Sequence, residues 1–322
     1  MLELLDGNKP VRAFYRTSEG QAWVKSLFSF YGKASAYDRI EWHRGDVLDV
    51  DSLLDAMQGV TAVYHCAAIV SYHQSDRNGM YKINVEGTAN VLNVALELSV
   101  KRFVHVSSIA ALRRKNAAEP IDERGEWADD PVNTHYGITK HLAEMEVHRA
   151  IVEGLDAVVL NPGLIVGPGD FTRSSSSLFS KLNEGFSFYP PGGTGVVGVQ
   201  DVAHAAVILR ERGVCGERYI AVAENMSMKD LFSSISLALD KPAPYREAKQ
   251  WMLEAARIWE WMKQLFFGNK ALVTKESVKN ASVRFYYSSD KIVNDLGMQF
   301  SSVEQSIRDG AAFFKSGRAK IQ

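Results

Sequence analysis

Cysteine is nearly absent: Cys66 and Cys215 are the two in 322 residues. Two cannot build a disulfide framework, and neither sits in metal-ligand spacing, so each is expected to be a buried small hydrophobe. Charge of one sign is lacking as well. The formal net charge is −1, which leaves no basic field for nucleic acid or an anionic membrane surface. No apolar run approaches membrane-spanning length, and the opening MLELLDGNKP has neither the basic start nor the apolar centre of a signal peptide. The expected setting is the cytoplasm. What remains is an ordinary globular composition, 46% apolar and 23% charged, in a chain long enough for one large or two modest domains.

Strand-like and helix-like runs alternate through the first half. PVRAFYR (10–16), IEWHRGD (40–46), VTAVYHCAA (60–68), KRFVHVSS (101–108) and LDAVVLNPGLIVGPG (155–169) read as strands. Between them lie helix signals around Trp23–Phe30, over 51–59 with Asp51 or Ser52 as cap and Gly59 as stop, over 85–99, and in HYGITKHLAE (135–144). Short continuous apolar strands between helices indicate a parallel sheet covered on both faces, the doubly wound α/β fold, with its ligand crevice at the carboxyl ends of the strands. PPGGTG (190–195) reads as a turn cluster, and the chain after it as mostly helical. The expected dinucleotide-binding (Rossmann) domain is 1–166 plus about 196–222. The smaller, mostly helical substrate domain is about 167–195 plus 223–322.

Three pairs have Tyr-x-x-x-Lys spacing: Tyr136/Lys140, Tyr245/Lys249 and Tyr287/Lys291. Tyr136 alone opens a helix after a strand that ends in serines, Ser107 and Ser108. A carbonyl that accepts hydride needs a proton donor, and a free tyrosine, titrating near 10, is a weak one at neutral pH. A lysine four residues on projects from the same helix face and can stabilise the phenolate. Ser108 would hold the substrate oxygen.

VSSIAA (106–111), YGITK (136–140) and NPGLIVGPGD (161–170) together resemble the extended short-chain dehydrogenase/reductase superfamily, which includes the sugar epimerases and dehydratases. Within it the chain is most similar to the dihydroflavonol-reductase and 3β-hydroxysteroid-dehydrogenase group. The resemblance runs from Met1 to about Phe314 and is weakest over 240–285. It implies a Rossmann fold with Ser108, Tyr136 and Lys140 as catalytic set. It also implies cofactor contacts at Ser107, Ala67 and Ala68 in HCAA, Pro162 and Gly163, and Asp46 and Val47, with Asn84 supporting the lysine. Arg16, where NAD enzymes of this fold carry a carboxylate, suits a 2′-phosphate, with Arg12 in the same strand and Thr17 and Ser18 following; NADP is preferred over NAD.

Substrate and partners follow by chemistry. Phe171, Phe179, Phe186, Phe188 and Tyr189, with only Arg173 and Lys181 as cations, favour a small apolar ketone or alcohol over a nucleotide sugar, whose diphosphate needs several donors. A nucleotide-sugar epimerase or dehydratase and a non-catalytic dinucleotide-binding protein remain as alternatives. The helical stripe over 251–267 is expected to pack on the substrate domain, with a lid, a homodimer contact or a membrane-surface anchor as other uses. The family pattern opens with a strand, a Gly-rich turn and a helix, whereas MLELLDGNKPVRAFYR matches the last turn of that helix and the second strand. The first strand is therefore expected to be missing, through truncation by roughly 20 residues on this layout, with weak dinucleotide binding as the consequence.

Overall fold

Strand segments that hide side chains towards both faces form the centre of the molecule. The computed structural model describes residues 1–112, 120–125, 127, 133–249, 251–252, 254–255, 276, 278 and 282–317. The chain begins with α1 (Leu2–Asp6), β1 (Val11–Tyr15), α2 (Ser18–Phe30), α3 (Ala34–Tyr37), β2 (Ile40–Arg44), α4 (Val50–Met57) and β3 (Ala62–His65). Next come α5 (Arg77–Tyr81), a π-helical turn (Lys82–Glu86), α6 (Gly87–Glu97), β4 (Arg102–Val106), α7 (His135–Val152) and β5 (Ala157–Pro162). Then follow β6 (Leu164–Val166), α8 (Ser177–Asn183), β7 (Phe188–Tyr189), β8 (Gly193–Gly198), α9 (Val199–Arg212), β9 (Arg218–Ala221), β10 (Glu224–Ser227) and α10 (Met228–Ala238). β11 (Arg246–Glu247), α11 (Asp290–Leu296) and α12 (Val303–Lys315) complete the described elements.

The doubly wound α/β architecture is present. β3, β4, β5 and β9 form a parallel sheet in that order. Alternate residues of β4 serve opposite faces: Phe103 packs with Leu53, Leu92 and Val147 from α4, α6 and α7. Val104 packs with Leu209 of α9, Tyr219 and Ile292. Burial on both faces explains why these strands read as near-continuous apolar runs.

β1 and β2 pair in parallel with each other alone. Among the described residues no ladder joins β1 to β3, so the parallel strands fall into two blocks. α1 ends at Gly7, and Asn8 follows in the left-handed region, φ 54°, turning the chain out of the helix.

Several local expectations change. α4 starts earlier than expected, because Asp49 rather than Asp51 or Ser52 is the cap, accepting the Ser52 amide. The 155–169 run is two strands, not one. At Gly163 the chain leaves the main sheet, and β6 joins a second sheet of order β10–β8–β6. A Cβ on Gly163 would stand 2.6 Å from the Gly195 carbonyl oxygen, so this crossing of β5–β6 over β8 needs glycine. Half of PPGGTG is β8, and the domain boundary expected at 195–196 cuts that strand. Glycines that look like a turn serve here as close-packed strand. Both cysteines are exposed, not buried: Cys66 lies just past β3 and Cys215 in the turn before β9. Most of the 251–267 stripe lies outside the described residues; Trp251, which is described, is exposed.

Candidate functional site

α7 begins where Thr134 accepts the Gly137 amide at 3.0 Å, which sets Tyr136 in the first turn. A Cβ on Gly137 would lie 2.5 Å from the Ala110 carbonyl oxygen, so the helix start abuts the turn that follows β4. In that turn Ser108 is extended and its hydroxyl accepts the Ala110 amide at 3.1 Å. The two approaches meet: the Tyr136 phenol is hydrogen-bonded to Ser108. One turn on, Lys140 is buried, and its ammonium donates to the Val106 carbonyl at 2.8 Å. Of the three Tyr-x-x-x-Lys pairs, Tyr136/Lys140 is the one carried on a single helix. Tyr245 is exposed before β11, and Tyr287 is core packing before α11.

Burial governs the electrostatics of the pair. Burial pushes the phenol up to about 12, against the Ser108 hydrogen bond that lowers it, and the Tyr72 phenol adds to the rise. The same burial brings Lys140 down to about 8, with Glu144 opposing. In this state desolvation outweighs stabilisation of a phenolate, so Tyr136 holds its proton at neutral pH.

Behind the pair lies a layer of buried polar groups. Asn84, in the π-helical turn, accepts the Ile69 amide at 2.7 Å and donates to the Ile69 carbonyl and to the Thr139 hydroxyl, both at 3.0 Å. It thus ties the loop after β3 to the residue beside Lys140. A π turn in a helix often marks a functional site, and this one sets Asn84 inward. The Ser107 hydroxyl is turned to Glu144, which also accepts from Asn161 at 2.6 Å. His65 bonds Thr88 at 2.9 Å and lies 5.5 Å, ring to ring, from the buried His105. Tyr72, Thr139, Glu144 and Asn161 were not singled out by sequence. Glu144 alone had a usable signal, since it extends the Tyr136–Lys140 stripe by one more turn.

The remaining candidate cofactor residues line the carboxyl ends of the parallel strands. Ala67 and Ala68 are exposed just past β3, a floor of small side chains. Pro162 ends β5, and the amide of Gly163, which follows it, donates to the Ala221 carbonyl at 2.9 Å. Past β2, Asp46 accepts the Leu48 amide and the carbonyl of buried Val47 accepts from Asn90. Arg16 is exposed just past β1. Arg12 is taken: it pairs with Glu41 at 2.9 Å and donates to the Ala56 and Gln58 carbonyls. Small residues at the strand ends, a buried ammonium and an open guanidinium fit the ribose–nicotinamide and adenosine parts of a dinucleotide. Ser107 is buried, and its hydroxyl is turned inward to Glu144.

The aromatic set divides. Phe171 and Phe179 are buried core with Phe313, while Phe186 is half exposed and Phe188 and Tyr189 are half buried. Arg173 is paired with Asp170 at 3.1 Å. No helix among the described residues is long and apolar enough to cross a membrane.

Comparison with known proteins agrees with this geometry. The model of the NAD dependent epimerase/dehydratase family matches residues 4–220. A putative dihydroflavonol 4-reductase of Synechocystis sp. is 32% identical over 327 residues, covering 99% of this chain and 92% of its own. Sterol demethylase protein B of Methylococcus capsulatus is 27% identical over 330 residues, covering 97% and 93%. The crystal structure of gox2253 superposes with a TM-score of 0.76 at 30% identity, covering 97% of this chain and 100% of that one. With the Ser–Tyr–Lys constellation at the strand ends and a family match over most of its length, the chain belongs to the NAD dependent epimerase/dehydratase family, the extended short-chain dehydrogenase/reductases.

Proposed function

We propose that this protein is a reductase/dehydrogenase that moves a hydride between NADP and an apolar ketone or alcohol. The observation that carries the reading is the Ser108–Tyr136 hydrogen bond one helical turn from a buried Lys140. A bound nicotinamide supplies or accepts the hydride. Ser108 accepts the Ala110 amide and has one proton, shared with the Tyr136 phenol, to turn to a substrate oxygen. Tyr136, protonated at neutral pH, gives its proton to that oxygen as carbonyl becomes alcohol. Lys140 spends one donor on Val106 and has two more for a ribose hydroxyl. Its positive charge stabilises the phenolate left behind.

The apolar substrate class rests on two supports. Relatives that match nearly the whole chain are named for dihydroflavonol reduction and sterol demethylation. Of the two cations between Pro168 and Gly193, Arg173 is engaged by Asp170, which leaves little to grip a diphosphate. Phe171 and Phe179 are core and line no substrate surface; Phe186, Phe188 and Tyr189 remain outside it. Arg16 at the end of β1 supports NADP over NAD.

The test is to follow NADPH absorbance with a panel of ring-bearing ketones and, separately, nucleotide sugars. Stoichiometric NADPH loss with alcohol formed supports the reductase. Sugar interconversion with the cofactor retained and no net turnover overturns it in favour of an epimerase.

A further inference from the structure

Glu144 sits two turns beyond Tyr136 on α7 and is fully buried. An ionisable group there is costly unless its bonds do something a leucine cannot. Both of its hydrogen bonds end on one oxygen: Oε1 accepts from the Ser107 hydroxyl on the β4 end and from Asn161 Nδ2 on β5. The same Asn161 nitrogen donates to the Ser108 carbonyl at 3.0 Å. The other oxygen, Oε2, has no hydrogen bond and lies 3.5 Å from Arg218 Nη1. Arg218 is largely spent elsewhere, donating to the Glu123 and Gly125 carbonyls at 2.9 Å each. Glu144 therefore serves the strand ends first and an ion pair second.

We propose that Glu144 is a positioning residue whose Oε1 clamps the ends of β4 and β5 through Ser107 and Asn161, holding Ser108 against Tyr136. The Ser107–Ser108 backbone leaves the sheet at this point; the Ser107 amide still donates to Leu160 at 2.7 Å, and the Ala110 and Ala111 amides donate to the Ser108 hydroxyl and carbonyl at 3.1 and 3.0 Å. A clamp on its side chain and its next carbonyl removes the remaining freedom, as the alignment of reacting groups requires. The rival role for the same carboxylate is its charge, which favours the ammonium of Lys140.

Glu144→Gln separates the two roles, because it keeps Oε1 for both donors and deletes the charge. Glu144→Leu removes both, and Asn161→Ala cuts the link to the Ser108 carbonyl with a smaller lesion. The readout is the 13Cζ resonance of Tyr136 in tyrosine-labelled protein, assigned by its loss in Tyr136→Phe, with Ser108→Ala marking the position of the unbonded phenol. We expect the Gln variant to match the wild type, and the Leu and Ala variants to move towards Ser108→Ala. A folded Leu or Ala variant with the wild-type resonance overturns the clamp. So does a Gln variant displaced as far as the Leu variant, which would make the charge the operative feature. Collapse of the fold in both Leu and Ala variants would make Glu144 a stability element and equally overturn the positioning role. The kinetic arm rests on the reductase reading: kcat should fall about tenfold or more in the Leu and Ala variants and less than about threefold in the Gln variant, with cofactor KM steady. A wild type that reduces no ketone counts against that reading and leaves the resonance test standing.

Discussion

Lys140 donates its ammonium to the Val106 carbonyl at 2.8 Å, so the cation that should steady the phenolate is held against the end of β4. Burial brings it down to about 8, a value at which it is mostly charged at neutral pH and loses that charge within an accessible range. The phenol, raised to about 12, stays protonated throughout.

Ketone reduction should therefore be sustained at pH 7 and fall as pH rises through about 8, as Lys140 becomes neutral. Steady-state kcat from pH 6 to 10 checks this. A plateau extending to pH 10 would show that the charge on Lys140 does not matter to the slow step.

His65 and His105 are buried side by side, and burial lowers both: His65 to about 3, His105 well below its usual 6.5. Lys140 reinforces each shift. Both stay neutral in the folded state and take protons in the unfolded state, so their contribution is complete above pH 6.5 and is lost as pH falls below it. Each histidine is expected to cost about 1.4 kcal/mol per pH unit there. Glu144 and Glu123, raised by burial, act in the opposite sense. The isolating comparison is thus the wild type against His105→Phe, by urea denaturation at pH 7.5 and 5.5. The variant should lose less stability between the two; equal losses would mean His105 is not the acid-labile group.

Arg16 is the exposed cation at the end of β1. Arg16→Ala should weaken NADPH binding about tenfold or more, on the scale of one charge-assisted contact, and leave NADH within about twofold. Fluorescence titration with both reduced cofactors measures this. Equal losses would assign Arg16 to the fold, as Arg12 already is through Glu41, Ala56 and Gln58.

Much of this was legible in the chain because local signals and the fold agreed. The strands at 11–15, 40–44, 62–65 and 102–106 are short and separated by helices, and they stand where the pattern put them. The choice of Tyr136 over Tyr245 and Tyr287 needed only the preceding Ser107–Ser108 strand end. What escaped notice depends on tertiary approach. Gly193–Gly198 is strand because β6 and β10 flank it, which no local glycine preference reveals. Phe171 and Phe179 look the same as pocket aromatics until Phe313, far along the chain, packs on them. Spacing shows that Lys140 shares a helix face with Tyr136, but not that both are buried, which raises the phenol and lowers the ammonium.

The measurement that bears most directly on the whole account is Tyr136→Phe against the wild type, under saturating NADPH and a ketone that the wild type reduces. The account predicts at least about a 10²-fold loss of kcat, typical of a lost acid/base group, with NADPH affinity unchanged. A Phe variant that turns over at near the wild-type rate would contradict it.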